Sequence, residues 1–575
     1  MPVTKLVARR STLPFFLAGF CLLAGYLVLT VGCGRTDPSD QTTATEVARS
    51  QVGGTITVPY IADITGVNEL TARSSTLSNG LQYYALFLPL ATEQTDFQSG
   101  PPTFEPGIAA SWDFSEDRKK LTFNLRDDLV WSDGESLDAE DVRFSWVAQT
   151  HPDIAWSWAD YKRHISDVEI IDSHTVTFHF TQVYAGQLHD AVQGVILPQH
   201  EWSQLPFEDW RDNGQWFVDH LVVSGPYKLE SWEPGQRIVL VQNDRFHGAP
   251  AVPVTDRVIF EIIPDRQAQL SMLRSNTGQF VELVPPEDVP KLHEAPETYV
   301  ITYIPRYFSF IVWNTKNPLF ESPEIRRALT LAIDRQTIID TLYYGFGRVT
   351  HTPLTPDVWA YNGDLEPLPY DPDAARAALA DAGWSDSDGD GVLDKDGKPF
   401  RFDLLTNSED PLRRNIIVMM QEQLKRVGVE ATPTTMEFNA MRGPLSRQEF
   451  DAAMSVLSLG TDLDLSYYFH TRSIGSSFNW GAFSDPEVDA LIDEIAAELE
   501  PANNLQRLLG LQELIQQKQP MTLLYQALRL SAARSSLRDV NPNVINPFAN
   551  LRHWRLVDPA VEPLPEQPDP KAELY

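Results

Sequence analysis

Strands and helices alternate along most of this 575-residue chain, and this mixing constrains its fold more than any other feature. Alternating apolar positions predict half-buried strands at Lys119–Arg126 and His174–Phe180. The stretches Tyr227–Trp232 and Arg237–Gln242 flank a Glu-Pro-Gly-Gln turn and predict a hairpin. Interleaved elements of this kind indicate α/β or α+β lobes and exclude a pure sandwich or helical bundle.

The predicted helices carry clear start and stop signals. Short polar side chains precede four of them and can accept hydrogen bonds from the first free amides. These cap residues are Asp138, Ser322, Asp371 and Asp485. A fifth helix is predicted from Arg413 to Val427, where Gly428 ends it.

Composition excludes several classes of protein. Hydrophobic residues make up 42 % of the chain, enough for a real core, so wholesale disorder is excluded. The net charge of −33 argues against a nucleic-acid partner. The two cysteines, Cys21 and Cys33, are both near the N-terminus, which excludes a disulfide scaffold.

The N-terminus has the layout of a secretory signal. Basic residues precede an apolar run from Leu13 to Val31, and Cys33 follows directly after it. This ending resembles the lipobox of bacterial lipoproteins, in which the cysteine is acylated. We therefore predict a signal peptide over residues 1–32 and a lipid anchor at Cys33. An ordinary signal peptide or a transmembrane anchor is the alternative.

Two polar segments flank the expected folded part. Residues 33–52 are rich in Thr, Ser, Asp and Gln and predict a flexible tether. Residues 557–575 are rich in proline and predict a disordered tail.

Four blocks of sequence together carry a family resemblance. They are Pro106–Trp112 with its continuation to Ser145, Ser224–Phe246, Trp313–Arg335 and Tyr370–Trp384. In this order they resemble the family 5 extracellular solute-binding proteins, which serve bacterial ABC importers for oligopeptides, dipeptides and nickel. The resemblance covers about residues 53–556.

The resemblance implies a mixed α/β fold of the two-lobed periplasmic-binding-protein type, with an additional domain and a hinge between the lobes. The implied parts are lobe I (53–70, 197–303 and 515–556), the additional domain (71–196) and lobe II (304–514). Ligand is enclosed when the lobes close on the hinge.

The resemblance also implies a ligand site near the end of lobe II. In peptide-binding members a strand pairs with the ligand backbone, and an aspartate after it takes the α-amino group. The segment here is Val456–Asp462, although Val456 stands where an arginine is sometimes found and the partner of the ligand carboxylate stays unassigned. Nearby aromatic side chains would line side-chain pockets. The candidate ligand residues are Asp462, Ser458, Gly460, Trp480 and Tyr467.

An acidic loop resembles the opening half of an EF-hand calcium loop. Its alternate carboxylates are Asp386, Asp388 and Asp390, with Gly391 at the turn. Gly397 occupies the position of the bidentate glutamate, so Asp394 or Asp396 would have to substitute. We expect calcium as a structural ion here at most; an acidic hairpin without metal is the alternative.

Motifs of catalysis are missing from the sequence. It has no His-Glu-x-x-His, no Gly-x-Ser-x-Gly and no Walker A loop. We therefore predict a non-enzymatic binding protein without a required cofactor.

The predicted protein is an extracytoplasmic, lipid-anchored monomer that binds peptides and delivers them to ABC permease subunits. The alternatives are the same scaffold with a nickel chelate, an oligosaccharide or another solute, a secreted hydrolase, and a sensory receptor.

Overall fold

The computed structural model describes residues 53–246, 253–476, 478–564 and 566–574. The predicted signal peptide, tether and lipid-anchor Cys33 lie outside these residues. Within the described ranges, no helix is both long enough and apolar enough to span a bilayer.

Most strands belong to four sheets. In chain order these strands are β1 (Thr55–Tyr60), β2 (Ala109–Phe114), β3 (Lys120–Leu125), β4 (Ile165–Asp172), β5 (Thr175–Phe180), β6 (Tyr227–Glu233), β7 (Arg237–Gln242), β8 (Arg257–Ile262), β9 (Phe280–Val281), β10 (Thr298–Tyr303), β11 (Tyr307–Trp313), β12 (Gly347–Val349), β13 (Arg401–Asn407), β14 (Glu430–Met436), β15 (Ala452–Ser458), β16 (Met521–Ala527) and β17 (Arg529–Arg534). The strands and the hairpin predicted from alternation are confirmed at β3, β5, β6 and β7.

The sheets differ in size and in strand direction. Sheet A has the order β1-β8-β7-β6 with β1 parallel to β8, and sheet B has the order β9-β17-β10. Sheet C has six strands in the order β12-β16-β11-β15-β13-β14 and mixes parallel and antiparallel pairs. Sheet D is antiparallel with the order β2-β3-β5-β4. The mixed α/β fold class is therefore confirmed.

Helices surround these sheets. They are α1 (Thr76–Leu81), α2 (Ala139–Thr150), α3 (Gln187–Val192), α4 (Gln199–Trp202), α5 (Gly214–Asp219), α6 (Arg266–Arg274), α7 (Val289–Glu294), α8 (Pro323–Leu331), α9 (Arg335–Leu342), α10 (Pro372–Asp381), α11 (Pro411–Lys425), α12 (Phe438–Ser446), α13 (Ser466–Phe469), α14 (Pro486–Ala497) and α15 (Leu505–Lys518). All four predicted caps accept hydrogen bonds from amides of the first turn. Helix α11 begins earlier than predicted because the Asp410 side chain caps it ahead of Pro411.

Sheet C is buried on both faces. Along β11, Phe308, Phe310 and Val312 pack in one apolar cluster, while Ile311 and Trp313 pack in another. Successive side chains of a strand point to opposite faces, so this division follows from the two-residue period. Sheets A and D share a separate core.

The chain passes between sheets B and C at two neighbouring crossings. Residues 304–306 connect β10 to β11, and Leu528 connects β16 to β17. The Gln526 side-chain amide donates to the Pro305 carbonyl at 2.7 Å, and the Arg529 guanidinium lies 5.1 Å from the centre of the Tyr307 ring. These crossings are where a hinge between the two parts would bend.

The segment after Val557 makes defined contacts where disorder was expected. Glu562 forms ion pairs with Arg555 and Arg538, and the Gln567 side chain hydrogen-bonds to backbone groups of β10. Composition alone misses such contacts because they depend on where the fold places Arg538, Arg555 and the backbone of β10.

Candidate functional site

A cavity of about 560 Å³ lies among several separate parts of the chain. Its wall includes segments within 69–107, 156–193 and 543–553, and the single residues or pairs Arg126, Pro226, Arg306 and Gly460 with Thr461. This volume is within the range of sites for small organic ligands.

The end of β15 offers main-chain amides to this region on the side away from β11. The Leu459 amide donates to the Arg306 carbonyl at 3.0 Å, so Leu459 faces β11. Since main-chain groups alternate in direction along an antiparallel pair, those of Ser458 and Gly460 face the other edge. On that edge, the described pairing with β13 ends at Ala453. The Ser458 carbonyl already accepts from the Tyr468 hydroxyl at 2.5 Å, so a ligand backbone could pair with this edge through the two amides.

Gly460 permits a close approach by the next candidate residue. A Cβ atom at position 460 would lie 2.3 Å from Oδ1 of Asp462. The following turn is closed by the Leu463 amide, which donates to the Gly460 carbonyl at 3.3 Å, and Leu463 has φ of 54°. The Asp462 carboxylate therefore folds back over the glycine.

The Asp462 side chain is accessible to solvent but enclosed by neighbouring protein. Burial has the largest effect and raises the pKa of its carboxyl, while the positive charge of His189 lowers it and the charges of Asp464 and Asp190 raise it. A carboxylate crowded by protein and by two like charges gains from a positively charged ligand group.

Tyr467 connects the candidate strand to the part of the chain that carries sheet D. Burial raises the pKa of its hydroxyl, and hydrogen bonding to Arg163 opposes that shift. The Tyr467 side chain is half-buried at this contact.

Trp480 lies in the apolar core rather than on the cavity wall. It is 5 % exposed and stacks on Phe310 with ring centres 6.4 Å apart. Its position after the candidate strand predicted that Trp480 would line a ligand pocket. In the structure it packs in the core beside sheet C instead.

Helix α3 carries a cavity residue that the sequence analysis missed. His189 lines the cavity, and its Nδ1 lies 3.2 Å from Asp190. Burial lowers the pKa of His189, but the hydrogen bond with Asp190 and the charge of Asp462 more than offset this effect, so the net shift is upward. No local pattern marks this histidine, because its partner Asp462 is far away in the sequence.

Lys162 fixes the end of this short helix. Its Nζ donates to the carbonyl oxygens of Asp190, Ala191 and Gln193 at 2.7, 3.0 and 2.7 Å. Burial lowers the pKa of Lys162 to about 7. A cation bound to carbonyls at a helix C-terminus is favourable, and it holds His189 toward the cavity.

The acidic loop brings three of its five candidate carboxylates together. Oxygen atoms of Asp386, Asp388 and Asp390 lie within 4.8 Å of one another. Asp394 instead accepts hydrogen bonds from the amide and hydroxyl of Ser387, and Asp396 has φ of 54° in the following turn. Hard carboxylate oxygens at this spacing are suited to calcium.

The two crossings between sheets B and C join two parts of the molecule, and the cavity lies beside the strands that form these crossings. This arrangement is typical of two-lobed solute-binding proteins. The sequence profile of the bacterial extracellular solute-binding proteins, family 5, matches residues 103–479. This match covers more than half of the chain, and the chain therefore belongs to that family. The family is extracellular, which agrees with the predicted extracytoplasmic location.

Relatives differ in their named ligands. The oligopeptide-binding protein AppA of Bacillus subtilis is 27 % identical over 554 residues, which is 95 % of this chain and 99 % of AppA. The structure of B. subtilis AppA in complex with a nonapeptide matches with a TM-score of 0.73 at 28 % identity, over 88 % of this chain and 100 % of that chain. Heme-binding protein A of Haemophilus influenzae is 23 % identical over 499 residues, which is 83 % of this chain and 88 % of that protein.

Proposed function

We propose that this protein captures peptides outside the cytoplasmic membrane for an ABC importer and delivers them to the permease subunits. The observation that carries the proposal is the pair of Ser458 and Gly460 amides on the edge away from β11, with the Asp462 carboxylate beside them. Backbone pairing binds peptides without regard to side chains, and the carboxylate suits an α-ammonium group. The similarity to AppA supports the same ligand class.

The lobes would close on the ligand at the two crossings. Closure can follow binding only if the ligand contacts both parts in the closed state. Tyr467 also hydrogen-bonds to Arg163 across the two parts, so we assign Tyr467 to closure as well as to the ligand pocket. Trp480 supports this pocket from the core through its stacking on Phe310.

Binding of matched peptides tests the proposal. Calorimetry would compare a free-amino peptide with its N-acetylated form, using the wild type, Asp462→Asn and the exposed control Asp381→Asn. We expect Asp462→Asn to weaken binding of the free-amino peptide by about tenfold or more, and to affect the acetylated peptide little.

Two results would contradict this function. Equal weakening of both peptides would remove Asp462 from the ammonium site. Failure of every peptide to bind, while hemin or a nickel chelate binds, would refute the peptide ligand; hemin belongs in this screen because a relative is a heme-binding protein.

We also propose a lipid anchor at Cys33, so that the monomer stays attached to the membrane surface. Metabolic labelling with palmitate should mark the wild type and leave Cys33→Ser unlabelled. Labelling of both would contradict the anchor.

We further propose that the cluster of Asp386, Asp388 and Asp390 takes a structural calcium ion. Added calcium should then raise the melting temperature, and less so in Asp388→Asn. Insensitivity of the wild type to both calcium and EDTA would contradict this site.

A further inference from the structure

Arg306 brings an unpaired positive charge to the cavity wall. It lies in the connection from β10 to β11 and lines the cavity. Its Nε and Nη1 atoms are shielded from solvent and have no hydrogen-bond partner among the described residues, and it forms no ion pair with them. The side chain as a whole is half-buried, but two shielded N–H donors without a partner are costly, and a ligand that accepts from them would offset that cost.

Other shielded arginines of this protein are differently placed. Arg326 donates to four backbone carbonyls, and Arg335 donates to three. Neither lines the cavity described above. Carbonyl oxygens therefore satisfy these two guanidinium groups, whereas two nitrogen atoms of Arg306 have no partner among the described residues.

The position of Arg306 is fixed by contacts on two sides. Its guanidinium lies 5.7 Å from the centre of the Phe97 ring, and its carbonyl accepts the Leu459 amide. A guanidinium stacked on an aromatic ring keeps its N–H edge free for a planar anion.

Arg306 and Asp462 act on the same neighbour. Burial most strongly raises the pKa of Tyr161, the charge of Asp462 raises it further, and the charge of Arg306 lowers it. The two opposite charges therefore lie around one phenol, on adjoining strand ends of sheet C. The Leu459 amide donates to the Arg306 carbonyl, and Asp462 lies in the turn that follows Leu459, so one ligand could reach both charges.

We propose that Arg306 binds a carboxylate of the ligand, close to the ammonium site at Asp462. This inference rests on the proposed peptide-binding function and assigns the anionic group that the site accepts. Glu93 also lines the cavity with a shielded, unpartnered oxygen, and it can accept an N–H group beside the carboxylate.

The carboxylate has two sources in a peptide. It is either the C-terminus of a short peptide or an acidic side chain near the N-terminus of a longer one. Both present the same planar anion to the guanidinium.

Calorimetry with the full mature chain tests this role. The first pair of probes is trialanine and its C-terminal amide. The second pair is two amidated hexapeptides that differ only by Glu or Gln at the second residue. The variants are Arg306→Gln, Arg306→Lys and the exposed control Arg442→Gln.

We expect the wild type to bind the acid of one pair about tenfold or more tightly than its neutral partner. The pair that shows this preference identifies the source of the carboxylate. Arg306→Gln should lose the preference while still binding the neutral peptide, which shows that it is folded. Arg306→Lys should keep part of the preference for the acid, and Arg442→Gln should keep all of this preference.

The assignment would be overturned if Arg306→Gln kept the preference for the acid. It would also be overturned if the wild type showed no such preference in either pair of probes. Binding of neutral peptides in those cases would leave the proposed function standing. Failure of the wild type to bind any probe would overturn both.

Discussion

At position 460 the candidate site needs a residue without a side chain. The Asp462 carboxylate occupies the space that a Cβ atom would take, at 2.3 Å. By contrast, Gly510 lies inside α15 with no atom within 4 Å of an added Cβ. Gly460 leaves no room for a Cβ atom, whereas Gly510 does, so substitution by alanine should affect the two positions differently.

Gly460→Ala should reduce peptide affinity severalfold, because the carboxylate must move away from its place over the turn. Gly510→Ala should leave affinity unchanged and stabilise the protein by about 0.5–1 kcal/mol, since alanine favours a helix interior. Calorimetry and urea denaturation measure the two effects. Unchanged affinity in Gly460→Ala would show that the turn adapts without cost to binding.

At the scale of elements, the two crossings are tied by one side chain. Gln526 donates to the Pro305 carbonyl at 2.7 Å and accepts from Nε of Arg348 at 2.8 Å. Arg348 in turn donates to Asp357 at 2.9 Å. These bonds join β12, β16 and the β10–β11 connection into one buried polar network.

Gln526→Ala should lower the free energy of unfolding by about 1–3 kcal/mol, because it leaves the Pro305 carbonyl and one side of Arg348 unsatisfied. The exposed Gln517→Ala is the matched control and should change stability by less than about 0.5 kcal/mol. Urea denaturation measures both. Equal stabilities of the two variants would mean that solvent replaces the network.

At the scale of the whole molecule, Glu69 joins the segment after β1 to the part that carries sheet D. It accepts hydrogen bonds from the Tyr83 hydroxyl and from the Val195 amide. Burial raises the pKa of Glu69 from 4.5 to about 7, although these bonds and the charge of Lys162 oppose the shift. The folded protein therefore binds this proton more tightly than the unfolded chain.

The stability that Glu69 contributes is complete below about pH 4.5 and is lost as the pH rises through about 7. The stability advantage of the wild type over Glu69→Gln should thus be larger at about pH 5 than at about pH 8. Urea denaturation at both pH values measures it, with the exposed Glu116→Gln as a control. An advantage independent of pH would contradict the assigned titration.

Short-range signals were sufficient for much of the fold. Alternation predicted β3, β5 and the β6–β7 hairpin, and cap residues predicted the starts of four helices, because these features depend on neighbours in sequence. The start of α11 was missed only by two residues, since its cap Asp410 was not recognised. The contacts of the proline-rich C-terminal segment were missed because β10 and Arg538, which supply them, are brought near it only by the fold.

The sequence by itself determined the mixed fold class and the family, and it predicted a ligand role for the segment that carries Ser458, Gly460 and Asp462. Only the tertiary structure decided which side chains surround that segment. His189 and Arg306 come from distant parts of the chain, and Trp480 returned to the core. The physical reason is that burial and charge act through space, whereas a sequence pattern records only neighbours along the chain.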